Sequence, residues 1–125
     1  MTTNENSKPE VATFEEIQAL IQQHDRAPLI DVRDSNEVEL GRIPTAYHIP
    51  LASLEDALTS LSADLFQVQY GFNKFGLHDE AIFYCRSGRR SKLAFEKARE
   101  LGYTHVRHYP GSWNEWQVKI KADQN

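Results

Sequence analysis

The longest wholly apolar run in the chain is Ala81-Ile82-Phe83-Tyr84-Cys85, which ends in a sulfur and passes straight into Arg86-Ser87-Gly88-Arg89-Arg90. A run this short cannot cross a bilayer, which takes about 20 residues as a helix. It has the length of a buried strand, and two of its residues are aromatic. From Ser91 the apolar spacing changes to the helical period. Leu93, Ala94, Ala98 and Leu101 are predicted on one face, with Gly102 at the stop. Strand, polar turn and helix in that order make a βα unit.

The rest of the chain repeats the alternation. Thr13 and Glu16 read as a capping box ahead of Phe14, Ile17, Leu20 and Ile21 on one helical face. Leu29-Ile30-Asp31-Val32 follows Pro28 as a short buried strand. Ser35 is the predicted N-cap of a short helix from Glu37 to Leu40, stopped by Gly41. Tyr47-His48-Ile49 is a second strand candidate between Pro44 and Pro50. Ser53 is expected to cap a helix through Leu58, and Ser62 another through Tyr70, with 71–79 as loop. Thr104 to Tyr109 reads as a strand, Pro110-Gly111 as a turn, and Ser112 as the cap of a last helix through Lys121. Strands separated by helices predict the α/β class, with a mainly parallel central sheet and helices on both faces. In such sheets ligands gather at the C-terminal ends of the strands, which is where Cys85 falls.

At 125 residues the chain has the length of one domain. Residues 1–10 are expected to form a flexible N-terminal tail and 11–121 the domain. Hydrophobic residues are 40% and charged residues 26%, a globular balance that excludes wholesale disorder, collagen and coiled coil. A net charge of −4 argues against a general nucleic-acid binder, and no membrane partner is expected. The single cysteine excludes an intramolecular disulfide and a Cys-rich zinc site. His105 and His108, three apart on a strand, point to opposite faces, so no metal is expected. A lone thiol fits a reducing compartment, and the polar Met1 to Pro9 stretch has neither a signal-peptide nor a transit-peptide pattern. The expected location is therefore cytoplasmic.

A lone cysteine is most often a buried packing residue. Around Cys85, however, several features coincide. Arg86, Arg89, Arg90 and Lys92 all lie within the seven residues after the sulfur, in a chain that is acidic overall. A strand-to-helix turn also converges backbone N–H groups on one point, and Gly88 permits backbone geometry that a Cβ would obstruct. Both the cations and the N–H groups favour the thiolate.

The segment Cys85-Arg86-Ser87-Gly88-Arg89-Arg90-Ser91 resembles the active-site loop of rhodanese-like sulfurtransferases. Three other segments are similar to that family's motifs and come in its order. Leu29-Ile30-Asp31-Val32-Arg33 resembles its first conspicuous strand and Asp-x-Arg element. Residues 41–51, from Gly41-Arg42-Ile43-Pro44-Thr45-Ala46 onward, resemble its Gly-His-Ile-Pro-Gly-Ala stretch. Gly111-Ser112-Trp113-Asn114-Glu115-Trp116 resembles its closing Gly-Gly-x-x-x-Trp segment. Tyr70-Gly71-Phe72 with Lys74 resembles the small single-domain thiosulfate sulfurtransferases. Thr45 stands where the family usually has Gly, in a turn that takes a positive φ; Arg42 stands where His is common, and Pro110 replaces a Gly.

The resemblance implies covalent catalysis with no cofactor. The Cys85 thiolate would take the outer sulfur of thiosulfate, and the persulfide would be discharged to cyanide or to a thiol such as glutathione or thioredoxin. The loop backbone from Arg86 through Ser87, Gly88, Arg89 and Arg90 to Ser91 would cradle the anionic sulfur. Arg86 and Arg89 would attract the donor, and Arg90 would turn inward to brace the loop against Asp31. Only four residues separate Cys85 from Arg90. Rhodanese-like phosphatases and related arsenate reductases carry a loop one residue longer, so these are the first rival; a non-catalytic interaction module is the second. Asp31 and Arg33 read as a supporting salt bridge, and His48 as a packed polar residue. Trp113 and Trp116 are expected to pack the last helix. Phe66, Phe72 and Phe75 fit either a site mouth or the core.

Overall fold

A computed structural model of the chain describes residues 8–123. It contains β1 (Leu29–Asp31), β2 (Tyr47–His48), β3 (Ala81–Tyr84) and β4 (Val106–His108). The helices are α1 (Phe14–Leu20), α2 (Ser35–Glu39), α3 (Leu51–Thr59), α4 (Ala63–Tyr70), α5 (Arg89–Glu100) and α6 (Ser112–Asp123). The sheet runs β2-β1-β3-β4, and every pairing is parallel.

Residue alternation along the strands divides the core in two. Ile30, Ala81, Phe83 and Cys85 join one apolar cluster with Leu54, Ala57 and Leu58 of α3, Phe66 of α4 and Ala94, Phe95 and Ala98 of α5. Leu29, Ile82 and Tyr84 join the other with Phe14, Ile17 and Leu20 of α1 and Trp116 of α6. The predicted α/β class with helices on both faces is the observed one.

Residues 1–7 of the expected tail lie outside the described residues. Its last residues do not behave as a tail. The carbonyl of Pro9 accepts from Arg107 Nε, the carbonyl of Glu10 accepts from His108 N at 2.9 Å, and Ala12 N donates to the His108 carbonyl at 2.8 Å. The Arg107 side chain holds Pro9, and backbone pairing with β4 ties the chain down from Glu10 onward.

Caps explain where the local reading held and where it failed. The Thr13–Glu16 capping box is present in both directions at 3.2 Å. Ser62 Oγ accepts from Leu65 N, and α4 ends on Gly71 with φ 81°. By contrast, the N-cap position of α2 belongs to Asp34 rather than Ser35, and that of α3 to Pro50 rather than Ser53, neither with a side-chain cap. Ile49 N and Leu51 N instead donate to the carbonyls of Asp31 and Val32, so the continuing sheet edge sets the start of α3. Leu93 is exposed on α5 and Phe95 is buried in its place. Thr45 keeps its φ at 74°, with Ala46 N bonded to the Ile43 carbonyl and Pro44 in the second position, the pattern of a type II turn despite the missing Gly.

Candidate active site

Cys85 is the first residue past β3, at the C-terminal edge of the sheet, and is 1% exposed. Its Sγ accepts N–H bonds from Gly88 at 3.1 Å and Ser91 at 3.3 Å. The thiol faces Ser91 Oγ at 3.5 Å, and Ser112 Oγ lies 3.9 Å away. Burial pushes the thiol up. The hydrogen bond shared with the Ser91 hydroxyl and those from Ser91 N–H, Gly88 N–H and Ser112 outweigh it, so the group sits below its ordinary range. Hydrogen bonds, more than the neighbouring cations expected from sequence, stabilise the thiolate.

The loop holds this shape from two sides. The first N–H groups of α6 face it: Trp113 N donates to the Cys85 carbonyl and Asn114 N to the Arg86 carbonyl, both at 3.0 Å. With those carbonyls turned to α6, N–H groups of the same loop are free to face the sulfur. Gly88 has φ 103°, and a Cβ there would lie 2.6 Å from the Pro110 carbonyl oxygen. Glycine is therefore required twice, for conformation and for space.

Arg90 does not reach Asp31. It forms a two-pronged pair with Glu37 of α2, at 2.8 and 2.9 Å. Asp31 is already engaged: its oxygens take Arg33 Nε at 3.0 and 3.1 Å, an Arg33 terminal nitrogen at 2.7 Å and Arg33 N at 3.0 Å. The Arg33 guanidinium also donates to the Gly41 carbonyl at 2.7 Å and lies over Trp113, 5.1 Å from the ring centroid. Asp31 and Arg33 are 0% and 2% exposed, and this pair locks the end of β1 to the 41–46 turn and to α6. Asp31→Ala leaves the Arg33 charge buried and unpaired, so it is expected to lower unfolding free energy by about 3–5 kcal/mol. Urea unfolding measures this, and a loss below about 1 kcal/mol is what an exposed pair would give.

The remaining site residues are found as follows. Arg86, Ser87 and Arg89 are exposed, and neither Arg86 nor Arg89 forms an ion pair among the described residues. Ser91 is fully buried, and its hydroxyl donates to the Gly88 carbonyl at 3.1 Å. His48 Nε2 bonds the Arg33 carbonyl at 2.7 Å, the packed role expected of it. Phe66, Phe72 and Phe75 all belong to the core cluster, so the core alternative holds. Trp116 packs on Phe14, whereas Trp113 covers Arg33. Among the described residues no group of three or more His, Cys, Asp or Glu side chains could hold a metal, and no helix is long and apolar enough to cross a membrane.

Sequence reading missed two residues that touch this machinery. Glu37, on a five-residue helix, carries no local signal; only the fold brings it to Arg90. Ser112 was expected to cap α6. It is instead the first residue of that helix, has φ 57° and bonds back to Cys85 N at 3.1 Å. Its place in the closing Gly-Gly-x-x-x-Trp segment was the available hint, since a side chain there replaces a Gly.

The family model described as "Rhodanese-like domain" matches residues 13–119. The chain is 45% identical over 94 residues to a fission yeast protein named "Putative thiosulfate sulfurtransferase, mitochondrial", covering 75% of this chain and 66% of that protein. It therefore spans just under two thirds of that relative's length. It is 43% identical over 95 residues to the human "Thiosulfate:glutathione sulfurtransferase", covering 75% of this chain and 82% of the relative. Among solved structures, the human single-domain sulfurtransferase TSTD1 superposes with a TM-score of 0.83 at 38% identity, covering 90% of this chain and 98% of that one. With its all-parallel sheet and its cysteine loop at the sheet's C-terminal edge, the chain belongs to the rhodanese-like domain family.

Proposed function

We propose that this chain is a thiosulfate sulfurtransferase that carries the transferred sulfur as a persulfide on Cys85 and delivers it to a small thiol, glutathione. The observation that carries the reading is the cradle itself: a buried Sγ at a strand end, already accepting two backbone N–H bonds. The proposed working unit is residues 11–121. The fission yeast and human relatives' names supply the donor and the acceptor class.

The Cys85 thiolate attacks the outer sulfur of thiosulfate, and the S–S bond of the donor breaks, its electron pair leaving with sulfite. The persulfide's outer sulfur then carries the negative charge, within reach of the N–H groups of 86–91. A glutathione thiolate attacks that outer sulfur. The persulfide bond breaks, and its electron pair returns to Sγ as thiolate, ready for the next donor. Electrons balance without a redox partner, and one cysteine suffices. Arg86 and Arg89 draw in the dianionic donor; Arg90, held by Glu37, braces the helix end of the loop. A lone thiol suits a reducing compartment, and the cytoplasm is the proposed setting; mitochondria appear in the name of the fission yeast relative.

Steady-state assays with thiosulfate and glutathione should give the parallel double-reciprocal lines of a two-stroke reaction. No sulfite release with thiosulfate would contradict the reading; turnover with thioredoxin but not glutathione would correct the acceptor. Arg86→Ala and Arg89→Ala are each expected to raise KM for thiosulfate more than they lower kcat, because they add attraction before and during transfer alike. The difference should shrink in high salt, where exposed charges are screened over about 8–10 Å or less. Unchanged KM in both variants would remove these arginines from donor binding.

A further inference from the structure

Ser91 of α5 and Ser112 of α6 are both fully buried, and each has a single proton to place. Ser91 Oγ donates to the Gly88 carbonyl at 3.1 Å and lies 3.5 Å from Sγ. Ser112 Oγ donates to the Tyr109 carbonyl at 2.8 Å and lies 3.9 Å from Sγ. Ser112 Oγ also accepts the Cys85 N–H at 3.1 Å, which pins the nucleophile's own backbone. Its backbone sits at φ 57°, which L residues seldom occupy and which glycine would occupy without strain. A buried serine held there, where a glycine would be easier, is a side chain kept for its hydroxyl.

We propose that Ser112 is a positioning residue for the reacting sulfur: its hydroxyl fixes the Cys85 backbone and turns its proton from the Tyr109 carbonyl to Sγ when the thiolate forms. The hydroxyl has both acceptors within its reach, the carbonyl at 2.8 Å and Sγ at 3.9 Å, so only its O–H bond has to turn. Once the persulfide forms, charge moves to the outer sulfur and the proton returns to the carbonyl. The hydroxyl thus follows the charge on Sγ through both halves of the cycle, while the N–H donors of the loop stay fixed. This role rests on the sulfur-transfer reading for its purpose, but the effect on the thiol does not.

The test compares wild type with Ser112→Gly, which removes the hydroxyl and the strain together, and Ser112→Ala, which removes the hydroxyl alone. With one cysteine in the chain, the pH profile of alkylation by iodoacetamide reports Cys85 directly and uses no sulfur donor. The midpoint should move to higher pH in both variants. Below that midpoint kcat/KM for thiosulfate should fall about tenfold, as for loss of one hydrogen bond to a charged group, and the gap should narrow as pH rises. A variant with an unmoved alkylation midpoint and activity lowered equally at every pH would make Ser112 a purely structural brace and overturn the proposal. A midpoint shift in the variants beside a wild type that shows no sulfur transfer would instead overturn the functional reading while leaving the hydroxyl's role standing.

Discussion

Cys85→Ser is expected to abolish sulfur transfer from thiosulfate to glutathione and to cyanide, leaving no activity above background. The cradle favours the ionised sulfur with bonds from Ser91 and Gly88, and these donors suit an oxygen equally well, so the fold should survive. The chemistry should not. A serine hydroxyl has no general base among the groups that bond this position, which are the Gly88 and Ser91 N–H groups and the Ser91 and Ser112 hydroxyls. An alkoxide also cannot become a persulfide. Because the chain holds no second cysteine, nothing can substitute. Full activity in this variant would remove Cys85 from the reaction.

Gly88→Ala is expected to have the next largest effect. The new Cβ would stand 2.6 Å from the Pro110 carbonyl oxygen, a backbone atom that cannot simply rotate away. Positive φ adds about 1–2 kcal/mol of strain, and forced repacking about 1–3 kcal/mol. Relief requires moving either the 109–111 turn, whose Tyr109 carbonyl accepts from Ser112, or the Gly88 N–H that bonds Sγ at 3.1 Å. Loss of one such donor in a comparable anion hole lowers rate about 10²–10³-fold, so kcat/KM should fall by that order. Thermal unfolding beside the activity assay checks both parts. A variant as stable and as active as wild type would mean that the loop does not need its glycine.

Much of this fold is legible in the sequence because local rules govern it. Thr13 with Glu16 starts α1, and Ser62 and Gly71 bound α4, each by bonds within a few residues. The β3 strand shows as an apolar run because both faces are covered. Local reading fails where distant backbone decides. The start of α3 is set by Asp31 and Val32 carbonyls on another strand, and Pro9 and Glu10 are ordered by β4, nearly a hundred residues away in sequence. Leu93 has the right spacing for the core, but the sheet lies against the side of α5 that carries Phe95. The site divides in the same way. Cys85, Gly88 and Ser91 are contiguous, so the loop is readable. The partner of Arg90 is not, because Asp31 satisfies Arg33 and leaves Glu37, 53 residues away, as the counter-charge. Ser112 was visible only as a departure from glycine, and its contact with Cys85 spans 27 residues.

The central claim is that Cys85 itself carries the sulfur between donor and acceptor. Intact-mass measurement of the protein after incubation with thiosulfate tests it most directly. The account predicts a gain of one sulfur atom on wild type, removed by cyanide or glutathione and absent from Cys85→Ser. A wild-type protein that gains no sulfur from thiosulfate while readily hydrolysing an aryl phosphate would contradict it and assign the loop to phosphate chemistry.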